Sequence, residues 1–198
     1  MRMQRSHPIL GLLVLFAFAP VSVLAHAGHG DIAGLGDGIL HVTSGLDHML
    51  VAVAVGIWSM AYPWKRAWLL PLAFVTAMGA AAWIGVGRER IDVAQLLVVA
   101  SLVVLGVLIM RANAFSVAGA VAICLVFGAI HGYAHGTEAG TSGDYRAFVG
   151  GLVLATAILH LAGMAVGMMV RLSSRHGMRV AGAVVAAAGL WFAVGVSM

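Results

Sequence analysis

Three short strings in this sequence place titratable side chains inside otherwise apolar stretches. The first is His41-Val42-Thr43-Ser44-Gly45-Leu46-Asp47-His48. The second is His131-Gly132-Tyr133-Ala134-His135-Gly136-Thr137-Glu138, and the third is Thr156-Ala157-Ile158-Leu159-His160. On one continuous helix, positions 41 and 48 share a face, with Ser44 and Gly45 between them. Asp47 then points about 100° away from His48. His131, His135 and Glu138 have i, i+4, i+7 spacing and align if the helix runs that far. Imidazole with carboxylate is a ligand set for nickel, cobalt, zinc or copper(II), and bare affinity does not choose among them. The single cysteine, Cys124, lies in an apolar run. An intrachain disulfide and a cysteine-rich zinc or iron–sulfur site are therefore excluded.

Each of these residues has an ordinary alternative. A lone His160 in an apolar helix can hydrogen-bond a backbone carbonyl or Thr156. Asp47 can orient His48 as a carboxylate behind the ligand rather than a ligand itself. His135 and Glu138 can be solvated loop residues. His26 and His29 can be plain tail residues, and none of the eleven methionines is assigned to metal. Taken together the residues favour metal, because an ionisable group at membrane depth is costly and faces a partner or an aqueous cavity.

The elements that position them follow from composition. Of 198 residues, 62% are hydrophobic and 9% charged, with mean hydropathy +1.04. A soluble domain is about a quarter charged, so this chain could not cover a water-facing surface. Its apolar residues fall in runs near 20, the length that spans a bilayer as a helix. We place six, near residues 38–61, 67–86, 94–110, 115–134, 146–170 and 179–196. No β-barrel alternation is present, which leaves helices as the spanning solution. Residues 1–25 read as a secretory signal peptide: Arg2 and Arg5 precede an apolar stretch, and Val23-Leu24-Ala25 suits a signal peptidase. The expected organisation is a cleaved leader, 1–25, and a six-helix all-α membrane domain, 26–198. Cleavage makes His26 the mature N-terminus, beginning His26-Ala27-Gly28-His29.

Loop charges set the orientation. Lys65, Arg66, Arg111, Arg171, Arg175 and Arg179 fall in alternate connections. The other connections mix Arg88, Arg90 and Arg146 with Glu89, Asp92, Glu138 and Asp144. The positive-inside rule puts the first set in the cytoplasm and the mature N-terminus in the periplasm of a bacterial inner membrane. Asp47 and His48 then lie roughly 15 Å below the outer surface and His160 roughly 20 Å. His131 and His135 approach the outer side from below. The net charge of +4 is an orientation signal, and no nucleic-acid partner is expected.

With their neighbours, these strings resemble the HupE/UreJ family of hydrogenase- and urease-associated nickel permeases. The matching residues are His41-x5-Asp47-His48 with Val55-Gly56, His131-Gly132-x-Ala134-His135-Gly136-x-Glu138, and Ala155-Thr156-x3-His160-x2-Gly163. The resemblance covers almost the whole mature chain, in the same order. It implies six helices, a cleaved signal peptide and uptake of nickel, with cobalt as a second cargo. Val42 stands where that family normally has proline, and Ala52 where it usually has methionine. A proline near Glu138 is also missing.

The expected metal residues are thus His41, Asp47, His48, His131, His135, Glu138 and His160, with His26 and His29 in the tail. The metal is cargo, and no permanently bound cofactor is expected. The partners are a divalent ion and the lipid bilayer, and no oligomeric partner is assigned. Two other classes compete. A haem-binding electron carrier would use His48, His131 and His160 as axial ligands and leave Asp47 and Glu138 without a role. A metal sensor or chaperone would use His26 and leave the first string unexplained. An enzyme is not expected, because no nucleophile, nucleotide loop or soluble active-site domain is visible.

Overall fold

The computed structural model describes residues 34–89, 93–111, 114–139 and 143–196. The leader, its cleavage point, His26 and His29 lie outside the described residues. Eight helices follow in order: α1 (Leu35–Ser44), α2 (Leu46–Ser59), α3 (Trp64–Ala67), α4 (Leu69–Gly85), α5 (Ala94–Met110), α6 (Val117–Glu138), α7 (Tyr145–Ser173) and α8 (Gly177–Val196). No strand occurs among the described residues. Trp64–Gly85, α6, α7 and the segment Gly177–Gly195 are long and apolar enough to cross a membrane. The α1–α2 pair passes the same test together, and Gln95–Met110 is a shorter apolar helix.

The ends have local causes. Pro63 precedes α3, and Pro71 sits in the first turn of α4, where a missing N–H costs nothing. Ser116 Oγ accepts from Gly119 N–H at the start of α6. Asp144 Oδ1 accepts from the Arg146 and Ala147 amides at the start of α7. Each satisfies backbone donors that have no partner inside the helix.

The continuous first helix expected from sequence is broken. α1 and α2 meet at Gly45 at 86°. Thr43 Oγ1 donates to Ile39 O at 2.9 Å and Ser44 Oγ to His41 O at 3.2 Å. Both hydroxyls bond back into the last turn of α1, and Gly45 leaves in an extended conformation. The shared face of His41 and His48 therefore does not exist. A second difference is at α6, which runs through Gly136 and Thr137 to Glu138 instead of ending near 134.

Lipid is as apolar as leucine, so helices in a membrane associate through close packing of small residues. α4 and α6 run parallel: a Cβ on Gly128, Gly132 or Gly136 would run into the carbonyl oxygens of Phe74, Met78 and Ala82 in turn. α7 packs the same way on the first two helices. Gly151 meets Leu35 O, Gly163 meets Val53 O, and Gly56 meets His160 O. α5 and α8 are antiparallel, with Gly106 on Ala186 and Gly189 on Val103. At one end Arg171 Nη1 donates to Met60 O, tying α7 to the end of α2. Ring pairs Trp64–Trp68 and Trp83–Tyr145 mark the two ends of the Trp64–Gly85 span. Trp68 and Trp83 are about 22 Å apart along it, a spacing suited to two interfacial belts.

Candidate metal site

The break at Gly45 brings α1 and α2 to α6 from two directions. His41, on the last turn of α1, puts Nε2 2.8 Å from Glu138 Oε2 and 2.9 Å from His135 Nδ1. His135 Nδ1 is 3.9 Å from the same Glu138 oxygen. One ligand atom from each of His41, His135 and Glu138 lies within 4.8 Å of the other two, a grouping that could hold a metal ion. The continuation of α6 makes this grouping, because Glu138 would otherwise lie in a loop. An ionised carboxylate only accepts, so in the Glu138 contact His41 Nε2 carries the proton.

His48 enters from the first turn of α2. Its ring centroid is 4.5 Å from that of His135 and 5.9 Å from that of His131. Asp47 does not join the three-residue grouping. Its Oδ1 lies 3.0 Å from His48 Nδ1 and accepts the His48 backbone N–H at 3.0 Å. Its Oδ2 accepts from Gln95 Nε2 of α5. Asp47 therefore fixes the tautomer and orientation of His48 through Nδ1, as carboxylates behind ligating histidines do, and leaves Nε2 outside that bond. The two adjacent side chains meet despite the 100° between their directions on the helix.

His131 and His160 lie deeper. His131 Nδ1 donates to Phe127 O at 2.8 Å, within its own helix. His160 Nδ1 donates to Ala52 O across the α7–α2 interface at 2.6 Å. The backbone bond open to His160 as an ordinary core residue is thus made, and it uses one nitrogen. The Phe74 ring borders both imidazoles, at 5.4 Å from His131 and 5.2 Å from His160. The other nitrogen of each, Nε2, is buried and has no hydrogen-bond partner.

Glu138 and His41 are the more exposed members of this series, with side chains 25% and 13% exposed. The residues His131, His135 and His160 are all buried, at 3%, 2% and 1%. Each glycine that follows a histidine in the second string has its own task. Gly132 and Gly136 let α4 approach at Met78 and Ala82, and Gly128 lets it approach at Phe74. Sequence reasoning missed Gln95 and Phe74. Gln95 had a signal, as a carboxamide in the first turn of a helix whose other residues are apolar apart from Ser101. Phe74 had none, being one aromatic in an apolar run.

Residues 6–192 match the sequence profile of the family described as HupE / UreJ protein. The chain belongs to the HupE/UreJ family. It is similar to Protein HupE of Rhizobium leguminosarum bv. viciae, with 34% identity over 208 residues covering 98% of this chain and 100% of the relative. No solved structure matches it significantly. Family membership and the apolar helices together make this HupE/UreJ protein a multi-pass membrane protein.

Proposed function

We propose that this chain is a permease that carries nickel, with cobalt as a second cargo, from periplasm to cytoplasm to supply nickel-enzyme maturation. In this reading it lies in a bacterial inner membrane as six spans after removal of residues 1–25. The bent α1–α2 pair and α5 then count as spans, and the arginine-rich end faces the cytoplasm. The protein itself catalyses no reaction and keeps no cofactor.

One observation carries the reading. His41 of α1 and His135 and Glu138 of α6 converge on one position at the more exposed end of a buried histidine series. Two carboxylates, Glu138 and Asp47, sit at this end, where they offset part of the cost of drawing a dication into low dielectric. His48 stands between this cluster and His131.

Uptake of radioactive nickel by cells expressing the chain tests the proposal. His41→Ala, His48→Ala and Glu138→Gln should abolish uptake while the protein accumulates in the membrane. His176→Ala, an exposed histidine between α7 and α8, is the control and should transport like the parent. Parent-like uptake by the first three variants would overturn the reading.

A further inference from the structure

Two layers of imidazole follow one another through this molecule, and only the outer one contains carboxylate. On α6, His131 is one helical turn inward of His135. On α2, Ala52, whose carbonyl holds His160, is one turn inward of His48. The two steps have the same size and direction, so His131 and His160 share a level about 6 Å beneath the outer cluster. Phe74 touches both rings at that level.

The protonation of these rings is set by what they face. A backbone carbonyl can only accept, so Nδ1 of each ring carries the hydrogen. In the neutral ring Nε2 is then a bare lone pair. Both lone pairs are buried, and neither has a donor. Leaving a buried acceptor unsatisfied costs stability. Here that happens twice, against one aromatic ring. A neutral imidazole whose far nitrogen is held by a carbonyl is also the form in which histidine binds metals.

We infer that His131 Nε2 and His160 Nε2 form a second, deeper cation station of nitrogen ligands only, and that this station sorts the metals admitted above it. The outer cluster offers oxygen as well as nitrogen and attracts any dication by charge. Magnesium and calcium take oxygen ligands, and magnesium gives up its water reluctantly. The deep layer gives them nothing to bind. Nickel, cobalt, zinc and copper accept imidazole. With no carboxylate beside it, the deep station holds its ion weakly enough to release it onward, as a conducting site must. The inference takes its direction of travel from the permease reading, but its metal binding is independent of transport.

Equilibrium dialysis of the purified full-length chain in detergent micelles tests it, with nickel and magnesium as separate probes. The parent should bind two nickel ions at saturation and no more than one magnesium. His160→Asn should bind one nickel, because asparagine retains an N–H for Ala52 O and lacks the distal nitrogen. His131→Asn should do the same with respect to Phe127 O. Glu138→Gln should weaken the other equivalent and leave the deep one in place. A parent that binds a single nickel, a parent that binds two magnesium ions, or asparagine variants that still bind two nickel ions would overturn the inference. The parent measurements need no variant to fold. If Glu138→Gln leaves both equivalents and uptake intact, the outer-site reading fails while the deep station stands.

Discussion

His41 Nε2 stands 2.9 Å from His135 Nδ1, although 94 positions separate the two residues. Neither helix could make this approach by itself. α1 stops one turn after His41 and the chain turns by 86°. α6 continues past the point where its glycines would suggest an end. The contact joins one element that ends early to another that ends late.

The Asp47–His48 pair should behave as a ligand and its support. Asp47→Asn keeps the shape and removes the charge that orients His48 Nδ1. Loss of such a support typically costs 10–100-fold in metal affinity. Nickel binding to the purified variant should weaken by about that factor, with the number of ions bound unchanged. Gln95→Ala, which frees one oxygen of the same carboxylate, should act in the same direction and less strongly. An Asp47→Asn protein with parental affinity would show that the carboxylate is a bystander.

Metal should compete with protons at the outer cluster. A nitrogen that holds a metal cannot also hold hydrogen; in its 2.8 Å contact with Glu138 a neutral His41 ring can move its hydrogen to Nδ1, whereas an imidazolium must give one up. Nickel added to weakly buffered protein should therefore release protons only in proportion to the imidazolium present beforehand, and so more of them at lower pH. The sign follows directly. Raising the pH favours binding, and lowering it weakens it. Calorimetry in buffers of different ionisation enthalpy measures the release. Binding that ignores pH would contradict imidazole ligation at this site.

The glycines of the second string should be sensitive to the smallest added side chain. A methyl group on Gly132 or Gly136 meets the backbone of α4 at Met78 or Ala82. Backbone cannot step aside as a side chain can, so each alanine variant should lose about 1–3 kcal/mol. At Gly150, on α7, an added methyl group would meet nothing within 4 Å. Gly150→Ala should be neutral or stabilising by up to about 1 kcal/mol, as alanine is preferred in helices. Thermal unfolding in detergent compares them, and equal melting temperatures for all three would refute the packing argument.

The helices were legible because apolar length and short charged connections are strong signals, and the expected α5 coincides with the observed one. The site was legible in residue type more than in geometry. His135 and Glu138 carried their alignment in the i, i+3 spacing, but Gly136 and Thr137 between them read as a loop. Their service to packing shows only when α4 is in place. The α1–α2 break was hidden for the opposite reason. It lies in a stretch without proline, and Thr43-Ser44-Gly45 does not by itself stop a helix. The roles of Ala52 and Phe127 were illegible in principle, because each contributes a backbone carbonyl that any residue supplies.

Gly45 is where the two halves of the site can be uncoupled. Its φ of −86° and ψ of 103° are open to any residue, so glycine is not required by backbone conformation. Space is the constraint. A methyl group there would stand 3.0 Å from His48 Nδ1 and 3.3 Å from Asp47 Oδ1, tighter than ordinary contact. Alanine also favours helix over glycine by about 1 kcal/mol, which biases α1 and α2 toward joining. Both effects move the Asp47–His48 pair, and neither removes a ligand atom. Gly45→Ala should therefore accumulate in the membrane, keep the His41, His135 and Glu138 residues, and still lose most nickel uptake. Spin labels on Leu40 and Met49 give the companion measurement, since straightening the break increases the distance between them. Parental uptake with an unchanged label distance would mean that the bend withstands a methyl group and that glycine is incidental there. Lost uptake with an unchanged distance would place the effect in the crowding of His48 alone.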